Sequence, residues 1–227
     1  MLTYNHYYTG FKEHQPVKTT LTVSAHEFRP KDIIAGDAAL DFVNTVTARD
    51  RTPIDWVDSY ARLLEWAALA QLLPQNVLRA LTDKARKDPV AAAAALERAK
   101  DFRESLFATI SGMIAGTAPK KEMLALLREH WMAGIDAHDL RYADGRIALE
   151  LRKDAVGFDL IASMVAYRMV TYVLTTPLER LRICHGTSCA WLFIDSSKAG
   201  RRRWCDMAVC GNAAKSRRFQ ERLRRDE

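Results

Sequence analysis

All four cysteines of this 227-residue chain lie near one end, and their spacing constrains the fold of that end more than any other feature. Cys184 and Cys189 form one C-x4-C pair, Cys205 and Cys210 form a second, and fifteen residues separate the pairs. Two thiolate pairs at this separation are typical of a closed, four-ligand structural zinc site. The sequence therefore predicts that these four cysteines bind one structural Zn²⁺.

The residues around the cysteines predict a small zinc module that ends in a helix. The sequence predicts a strand over 190–195, a turn over 196–200 and a returning strand over 201–204. Asp206 is then predicted to cap a helix that carries Cys210 in its first turns. A knuckle, a hairpin and a helix in this order form a treble-clef-like arrangement, in which the metal replaces a hydrophobic core too small to fold alone.

The predicted final helix has two different faces. Phe219 and Leu223 share one face, which we expect to pack on the hairpin. Basic residues recur at i, i+3, i+7 and i+10 and form a stripe on another face: Lys215, Arg218, Arg222 and Arg225. Such a stripe on a single helix face is typical of an electrostatic contact surface.

The net charge of +6 is concentrated at this end of the chain. From residue 180 onward there are twelve Lys and Arg against five Asp and Glu, whereas the first 179 residues have 22 basic and 23 acidic groups. This asymmetry indicates a polyanionic partner; the alternative is a solvated basic tail that only aids solubility. Because Arg and Lys suit phosphate, we predict these nucleic-acid-binding residues: Lys198, Arg201, Arg202, Arg203, Lys215, Arg217, Arg218 and Arg222.

The rest of the chain predicts a mainly helical body with one small antiparallel hairpin, so the fold class is α+β, mainly α. Helical spacing of apolar residues predicts two helices within 55–87 and further helices over 89–116, 120–136 and 157–175. Two-residue alternation on both sides of Asp144-Gly145 predicts the hairpin. The predicted domains are an N-terminal extension over 1–30, the body over 31–177 and the zinc module over 178–227.

Short polar side chains within 33–51 indicate a second candidate site. Asp41, Asn44 and Arg51 could line a pocket for a small polar ligand, or could form the polar outer face of a capped core helix. Arg168 is the one full positive charge in the middle of the apolar helix 157–175. It must reach solvent, pair with a carboxylate or meet an anionic ligand. These four residues are the candidate ligand-binding set.

Other functional classes lack support in the sequence. No run of about 18 uncharged apolar residues predicts a transmembrane helix, and the N-terminus lacks a signal-peptide pattern. We therefore expect a cytoplasmic protein, since a reducing compartment keeps thiols available for a metal. The motifs GxGxxG, GxxxxGK[ST], HExxH and GxSxG are absent, and the sequence predicts no enzyme activity.

The cysteine segment resembles the CGNR zinc finger. The resemblance rests on the four cysteines, on WLFIDSSKAGRRRWC between the pairs and on MAVCGNAAKSRR around the last one. The earlier stretch GDAALDFVNTV, with the helices behind it, is similar to the ABATE domain that precedes this finger in bacterial proteins. The family is described as stress-induced transcription regulators. The resemblance thus implies a zinc-dependent DNA-binding end and a body that is regulatory or senses a small ligand.

One position departs from the family pattern. The arginine that follows Cys-Gly-Asn in the family is Ala213 here, so any base or phosphate contact that the resemblance assigns to that arginine is missing. A homodimer is expected on general grounds, because a lone small finger reads few base pairs. Two alternatives stay open: an RNA- or protein-binding zinc module on a scaffold, or a small-metabolite enzyme stabilised by the finger.

Overall fold

The computed structural model describes residues 21–224, and helices dominate them. The helices are α1 (Ala38–Val43), α2 (Tyr60–Leu69), α3 (Gln75–Lys87), α4 (Pro89–Ile114), α5 (Lys121–Asp136), α6 (Leu160–Thr175) and α7 (Asn212–Leu223). The strands are β1 (Thr22–Val23), β2 (Val46–Thr47), β3 (Ile54–Asp55), β4 (His138–Ala143), β5 (Arg146–Leu151), β6 (Leu181–Ile183) and β7 (Leu192–Ile194). The mainly helical α+β class is confirmed.

Parts of three predictions fall outside the described residues. They are the first twenty positions of the N-terminal extension, Arg225 of the basic stripe and the last three positions of the zinc module. Within the described part of the chain, no helix combines the length and the apolar character needed to cross a membrane.

The strands form three small sheets. β3 lies between β1 and β2, parallel to the first and antiparallel to the second. β4 and β5 form the predicted antiparallel hairpin, whose turn holds Asp144 and Gly145 at φ values of 53° and 77°. Both angles lie in the left-handed region that a type I′ turn requires, which is why an Asp-Gly pair suits this turn. β6 and β7 also pair antiparallel.

The hydrophobic core lies where α1, α2, α4 and α6 meet. Fully buried side chains from these helices include Phe42, Leu63, Ile110 and Ile161. The first half of α6 runs through this core, whereas Leu174 near its end is 75% exposed. Burial of these apolar side chains is the main favourable contribution to folding.

A buried ion pair fixes α4 to the small sheet. Arg103, which is fully buried, donates to both carboxylate oxygens of Asp55 at 2.8 and 2.9 Å and to the hydroxyl of Thr45 at 2.9 Å. Burial works to raise the pKa of Asp55, but the hydrogen bonds and charge of Arg103 outweigh it and lower that pKa. Paired in this way, neither charge is left unsatisfied in the interior.

One buried side chain joins the cysteine-bearing end to the helical body. Asn44, which follows α1 and is 2% exposed, donates from Nδ2 to the Leu192 carbonyl at 2.8 Å. Its Oδ1 accepts the Leu192 N–H at 2.8 Å, so the amide pairs with β7 as a neighbouring strand would. Ile194 on the same strand donates its N–H to the Ala35 carbonyl at 2.8 Å. The strand β7 is thus held by the body along one edge and by β6 along the other.

Apolar packing is continuous across this junction. Leu181 of β6 and Leu192 of β7 are buried in the main core of the body. Trp191 and Phe193 instead pack against the cysteines, in a second cluster that also receives Trp56 from the body. Residues on both sides of the boundary predicted at position 178 therefore share one core.

Replacing Asn44 by Ala should lower the free energy of unfolding by about 2–4 kcal/mol, because it leaves the buried N–H and C=O of Leu192 without partners. The matched control is Asn76→Ala, the same substitution at an exposed position of α3, which should change this free energy by less than about 0.5 kcal/mol. Urea unfolding followed by circular dichroism measures both. Equal stability of Asn44→Ala and the unaltered chain would show that the amide does not hold β7.

Candidate metal centre and nucleic-acid interface

The four cysteine sulfurs converge on one point. All four Sγ atoms lie within 4.8 Å of one another. The Sγ of Cys205 is 3.7 Å from that of Cys189 and 3.8 Å from that of Cys210. A regular tetrahedron of thiolates around Zn²⁺, with Zn–S distances of about 2.3 Å, has edges of about 3.8 Å. The sulfur positions therefore match a tetrahedral zinc site.

Two local structures supply the thiols. Cys184 and Cys189 lie in the knuckle between β6 and β7, where the Gly186 N–H points at the Cys184 Sγ at 3.3 Å. Cys210 lies in a π-helical turn, Met207–Gly211, that leads directly into α7. Asp206 caps this turn as predicted, accepting the Val209 N–H at 2.7 Å. The knuckle and the start of the helix are thereby pinned to the same centre.

Gly186 is a functional residue that the sequence reasoning missed. A Cβ at this position would lie 2.8 Å from the Sγ of Cys210 and 2.9 Å from its Cβ. Only glycine lets the knuckle backbone approach the second cysteine pair this closely. Its position two residues after Cys184, between the first two cysteines, is the sequence signal that could have identified it.

The four thiols compete for protons in the absence of a metal. Hydrogen bonds from Cys189, and then from Cys205 and Cys210, lower the pKa of Cys184. The pKa values of Cys189 and Cys205 are raised, with Cys184 as the largest cause in each case. The pKa of Cys210 is lowered as well, so Cys184 and Cys210 ionise in preference to Cys189 and Cys205. A divalent cation resolves this conflict because it stabilises all the thiolates together.

The donor set fits Zn²⁺ and leaves no position for a substrate. Four thiolates in a closed tetrahedral arrangement form a structural zinc site, as in zinc fingers. The four cysteines of this module coordinate one zinc ion. The metal therefore builds the platform from which α7 extends.

The prediction of a returning strand over 201–204 is wrong. These residues have no strand pairing, and β7 pairs instead with β6 upstream of the knuckle. The cause is Asp195, a fully buried carboxylate that accepts the Ser197 N–H at 3.0 Å and the Arg202 N–H at 2.8 Å. The loop folds around this side chain, and the backbone donor of Arg202 is no longer available to a partner strand.

The arginine run after this loop divides into two environments. Arg202 is half-buried: its guanidinium donates to the Cys205 carbonyl at 2.5 Å and lies 5.0 Å from the centre of the Phe193 ring. Arg201 and Arg203 are exposed, and so is Lys198 in the preceding turn. The structure thus gives Arg202 a role inside the module and leaves the other three side chains at the surface.

Helix α7 stands clear of the rest of the described chain. None of its residues is buried, and it contacts mainly the π-helical turn before it. Phe219 and Leu223 are 63% and 50% exposed, so the prediction that they pack on the hairpin is wrong. The predicted basic residues of this helix are all at the surface: Lys215, Arg217, Arg218 and Arg222.

Two of the four candidate ligand-binding residues are part of the fold. Asp41 is 3% exposed, and its Oδ1 accepts the backbone N–H groups of Ile34 and Ala35 at 3.0 and 2.9 Å. Burial raises the pKa of this carboxyl to about 7, although the two backbone hydrogen bonds work in the opposite direction. Asn44 has both of its amide groups bonded to Leu192. These contacts give both side chains a structural role.

The other two candidates lie at the surface. Arg51 is exposed in the turn that precedes β3. Arg168 is half-exposed and donates to the carboxylate of Asp37 at 2.9 Å. Pairing with a carboxylate is one of the three outcomes that the sequence predicts for a charge on this helix. Asp37 also caps α1 by accepting the Ala39 N–H at 2.9 Å. A ligand site formed by Asp41, Asn44, Arg51 and Arg168 stays a prediction.

Comparison with known families supports the resemblance seen in the sequence. The family model described as CGNR zinc finger matches residues 180–223. The ABATE model, described as "Putative stress-induced transcription regulator", matches residues 36–175, which is more than half of the chain. The two matches follow the predicted order. No curated protein matches this chain.

Gly186→Ala should weaken zinc binding about 10- to 100-fold, the range typical of changes to the groups that support metal ligands. The added methyl group would have to displace Cys210 from the tetrahedron. The control is Gly157→Ala, where a Cβ meets open space. Competition with a chromogenic chelator measures zinc affinity, and elemental analysis should give one zinc per chain for the control. A Gly186→Ala protein with undiminished affinity would show that the knuckle adjusts freely.

The raised pKa of Asp41 predicts a specific pH dependence of stability. Because the folded state binds the proton more tightly than the unfolded state, the contribution of this carboxyl is fully present below pH 4 and is lost as the pH rises through about 7. Asp41→Asn keeps an oxygen acceptor for both N–H groups and cannot ionise. Relative to this variant, the unaltered chain should lose on the order of 3 kcal/mol between pH 4 and pH 8. A constant stability difference across these pH values, measured by urea unfolding, would contradict the assignment.

Proposed function

The chain belongs to the ABATE family and carries a CGNR zinc finger behind that domain, and from this premise we propose that it is a transcription regulator that binds DNA through the finger. The observation that carries the proposal is α7, a helix fixed to the zinc site at one end and surrounded by solvent along its length. The family names point to regulation rather than catalysis. We place this role in the cytoplasm, where reducing conditions keep the thiolates available.

The charge of the finger supports a phosphate-rich partner. Residues 196–224 contain nine Lys and Arg and only two acidic residues, Asp206 and Glu221. No ion pair within residues 21–224 involves any of these nine cations. Apart from the half-buried Arg202, their charges are therefore available to neutralise DNA phosphates. The release of condensed counterions that follows is the main source of non-specific affinity.

The shape of α7 suits a DNA groove. Its twelve residues extend over about 18 Å, and an α-helix fits the major groove, which is about 12 Å wide. Lys215, Arg218 and Arg222 follow one side of the helix, where they can contact phosphates along a groove edge. Ala213 provides no such contact in the first turn, so affinity in this chain depends on the side chains further along. The half-buried Arg202 is not needed for this arrangement.

The junction at β7 offers a route from the body to the finger. Asn44 and Ala35 bind β7, which contains Phe193 and directly follows Trp191, and these two aromatic residues pack against the cysteines. We propose that an effector bound by the body would alter DNA binding by shifting α1 and the loop before it. The Asp37–Arg168 ion pair lies at the start of α1, the helix that ends at Asn44.

Removing two charges from α7, as Arg218→Ala/Arg222→Ala, should weaken binding to duplex DNA and reduce the slope of log K against log salt by about 2, because two phosphate contacts are lost. The matched control is Lys87→Ala/Lys121→Ala, which removes two exposed charges from the body and should leave the slope unchanged. Fluorescence anisotropy at several salt concentrations measures both. Equal losses in both variants would mean that net charge alone drives binding.

A competition experiment separates DNA from the alternative partner. Unlabelled duplex DNA should displace the labelled duplex at lower concentrations than an RNA of the same length and sequence. More effective displacement by the RNA would favour the RNA-binding alternative, and no binding to either polymer would contradict the proposal.

A further inference from the structure

The hairpin of β4 and β5 exposes an apolar face. Leu140 and Tyr142 on β4 lie opposite Leu149 and Ile147 on β5, so all four side chains are on the same side of the hairpin. They are 51–76% exposed. The other side carries charged residues, and every residue from 141 to 150 is exposed. Among the described residues, the hairpin therefore projects from the surface of the body.

Such a hairpin is incomplete as a folding unit. Two strands alone are marginally stable in water, and three or more strands with an apolar face are needed for independent stability. An exposed edge also offers unpaired N–H and C=O groups to another strand. The addition of strands from a second molecule would meet both requirements.

The turn determines which backbone groups of β5 are available. In a two-residue hairpin turn, the flanking residues Ala143 and Arg146 form a hydrogen-bonded pair, and bonded and non-bonded pairs alternate from there. Ile147 and Leu149 therefore belong to non-bonded pairs, and their N–H and C=O groups point away from β4. A second strand can therefore bind this edge only in certain registers. Residues whose N–H and C=O groups point away from β4 must lie opposite residues of the second strand whose N–H and C=O groups point toward β5.

Charge selects one register for two copies of β5 related by a two-fold axis. With the axis at Ala148, Ile147 pairs with Leu149 of the second copy, and Arg146 lies opposite Glu150 of the second copy. With the axis at Ile147, Glu150 lies opposite the second copy's Asp144, which places like charges together. With the axis at Leu149, Arg146 similarly lies opposite Arg152. Opposite charges across a pair stabilise a sheet and like charges destabilise it.

The edge of β4 is less suitable. Its charge-complementary register is centred on Leu140 and would pair His138 with Tyr142 of the second copy. His138 is half-buried at the base of the hairpin, where its Nδ1 lies 2.7 Å from the Gly134 carbonyl and its ring packs 5.4 Å from that of Tyr167. In contrast, residues 146–150 are exposed without exception.

We propose that β5 is a dimerisation edge and that its partner is β5 of a second copy of this chain, antiparallel and centred on Ala148. The result is a four-stranded sheet in which Ile147 and Leu149 pair across the two-fold axis. This interface is formed by the body and is independent of DNA binding by the finger. It gives the homodimer, expected only on general grounds from the sequence, a defined surface.

Cysteine cross-linking of the zinc-loaded chain tests the register. Ala148→Cys places two thiols next to the axis, and mild oxidation should yield a disulfide-linked dimer. Ala143→Cys is the matched control: it lies on the same side of the hairpin, but on β4 and away from the axis, and should stay monomeric in a denaturing gel. Cross-linking of Leu140→Cys in place of Ala148→Cys would show pairing through β4 and overturn the proposal.

A charge reversal tests the contact without cysteine chemistry. The unaltered chain should sediment as a dimer at micromolar concentration in the absence of DNA. Arg146→Glu places like charges at two symmetric contacts and should raise the dimer dissociation constant about tenfold. Arg128→Glu, the same change at an exposed position of α5, should leave it unaltered. A monomeric unaltered chain, or equal effects of the two reversals, would overturn the proposal, whatever the outcome for DNA binding.

Discussion

The pairing of the Asn44 amide with the backbone of Leu192 is the interaction on which the arrangement of this protein depends. It adds the end of α1 to the free edge of β7, so a strand of the zinc finger is completed by a side chain of the body. A buried N–H and C=O must have partners, and no other group among residues 21–224 supplies them. These bonds to the body therefore orient the finger, which is not connected to the body by a linker alone.

Zinc binding and hydrophobic burial stabilise different parts of the zinc finger. Leu181 and Leu192 are anchored in the core of the body, whereas the knuckle and the start of α7 have few apolar contacts beyond Trp191 and Phe193. Four thiolates around one cation hold these remaining parts together. Helix α7 can then project from the surface although none of its faces is packed against the body. Its charges therefore stay free to contact a polyanion.

The polar motif of α1 shows how a sequence signal can be real and yet have another cause. Asp41 and Asn44 stand out among apolar neighbours because each satisfies buried backbone groups of a distant segment. A ligand pocket and a structural junction both require short, buried hydrogen-bonding side chains, so composition alone does not distinguish them. Arg103 and Asp55 form a similar buried pair, which helical periodicity gave no reason to expect.

The sequence by itself determined the zinc ligands, the order of the helices, the Asp-Gly hairpin and the charge asymmetry, because each depends on residues close together in the chain. Cysteine spacing, helical periodicity and turn chemistry are local properties. Only the tertiary structure decided that β6 is the partner of β7, that Asp195 prevents the 201–204 strand, that Phe219 and Leu223 face solvent and that Asn44 binds Leu192. Some of these features are contacts between residues that are distant in sequence, and the others depend on which surface the fold leaves exposed. A local sequence pattern contains neither kind of information.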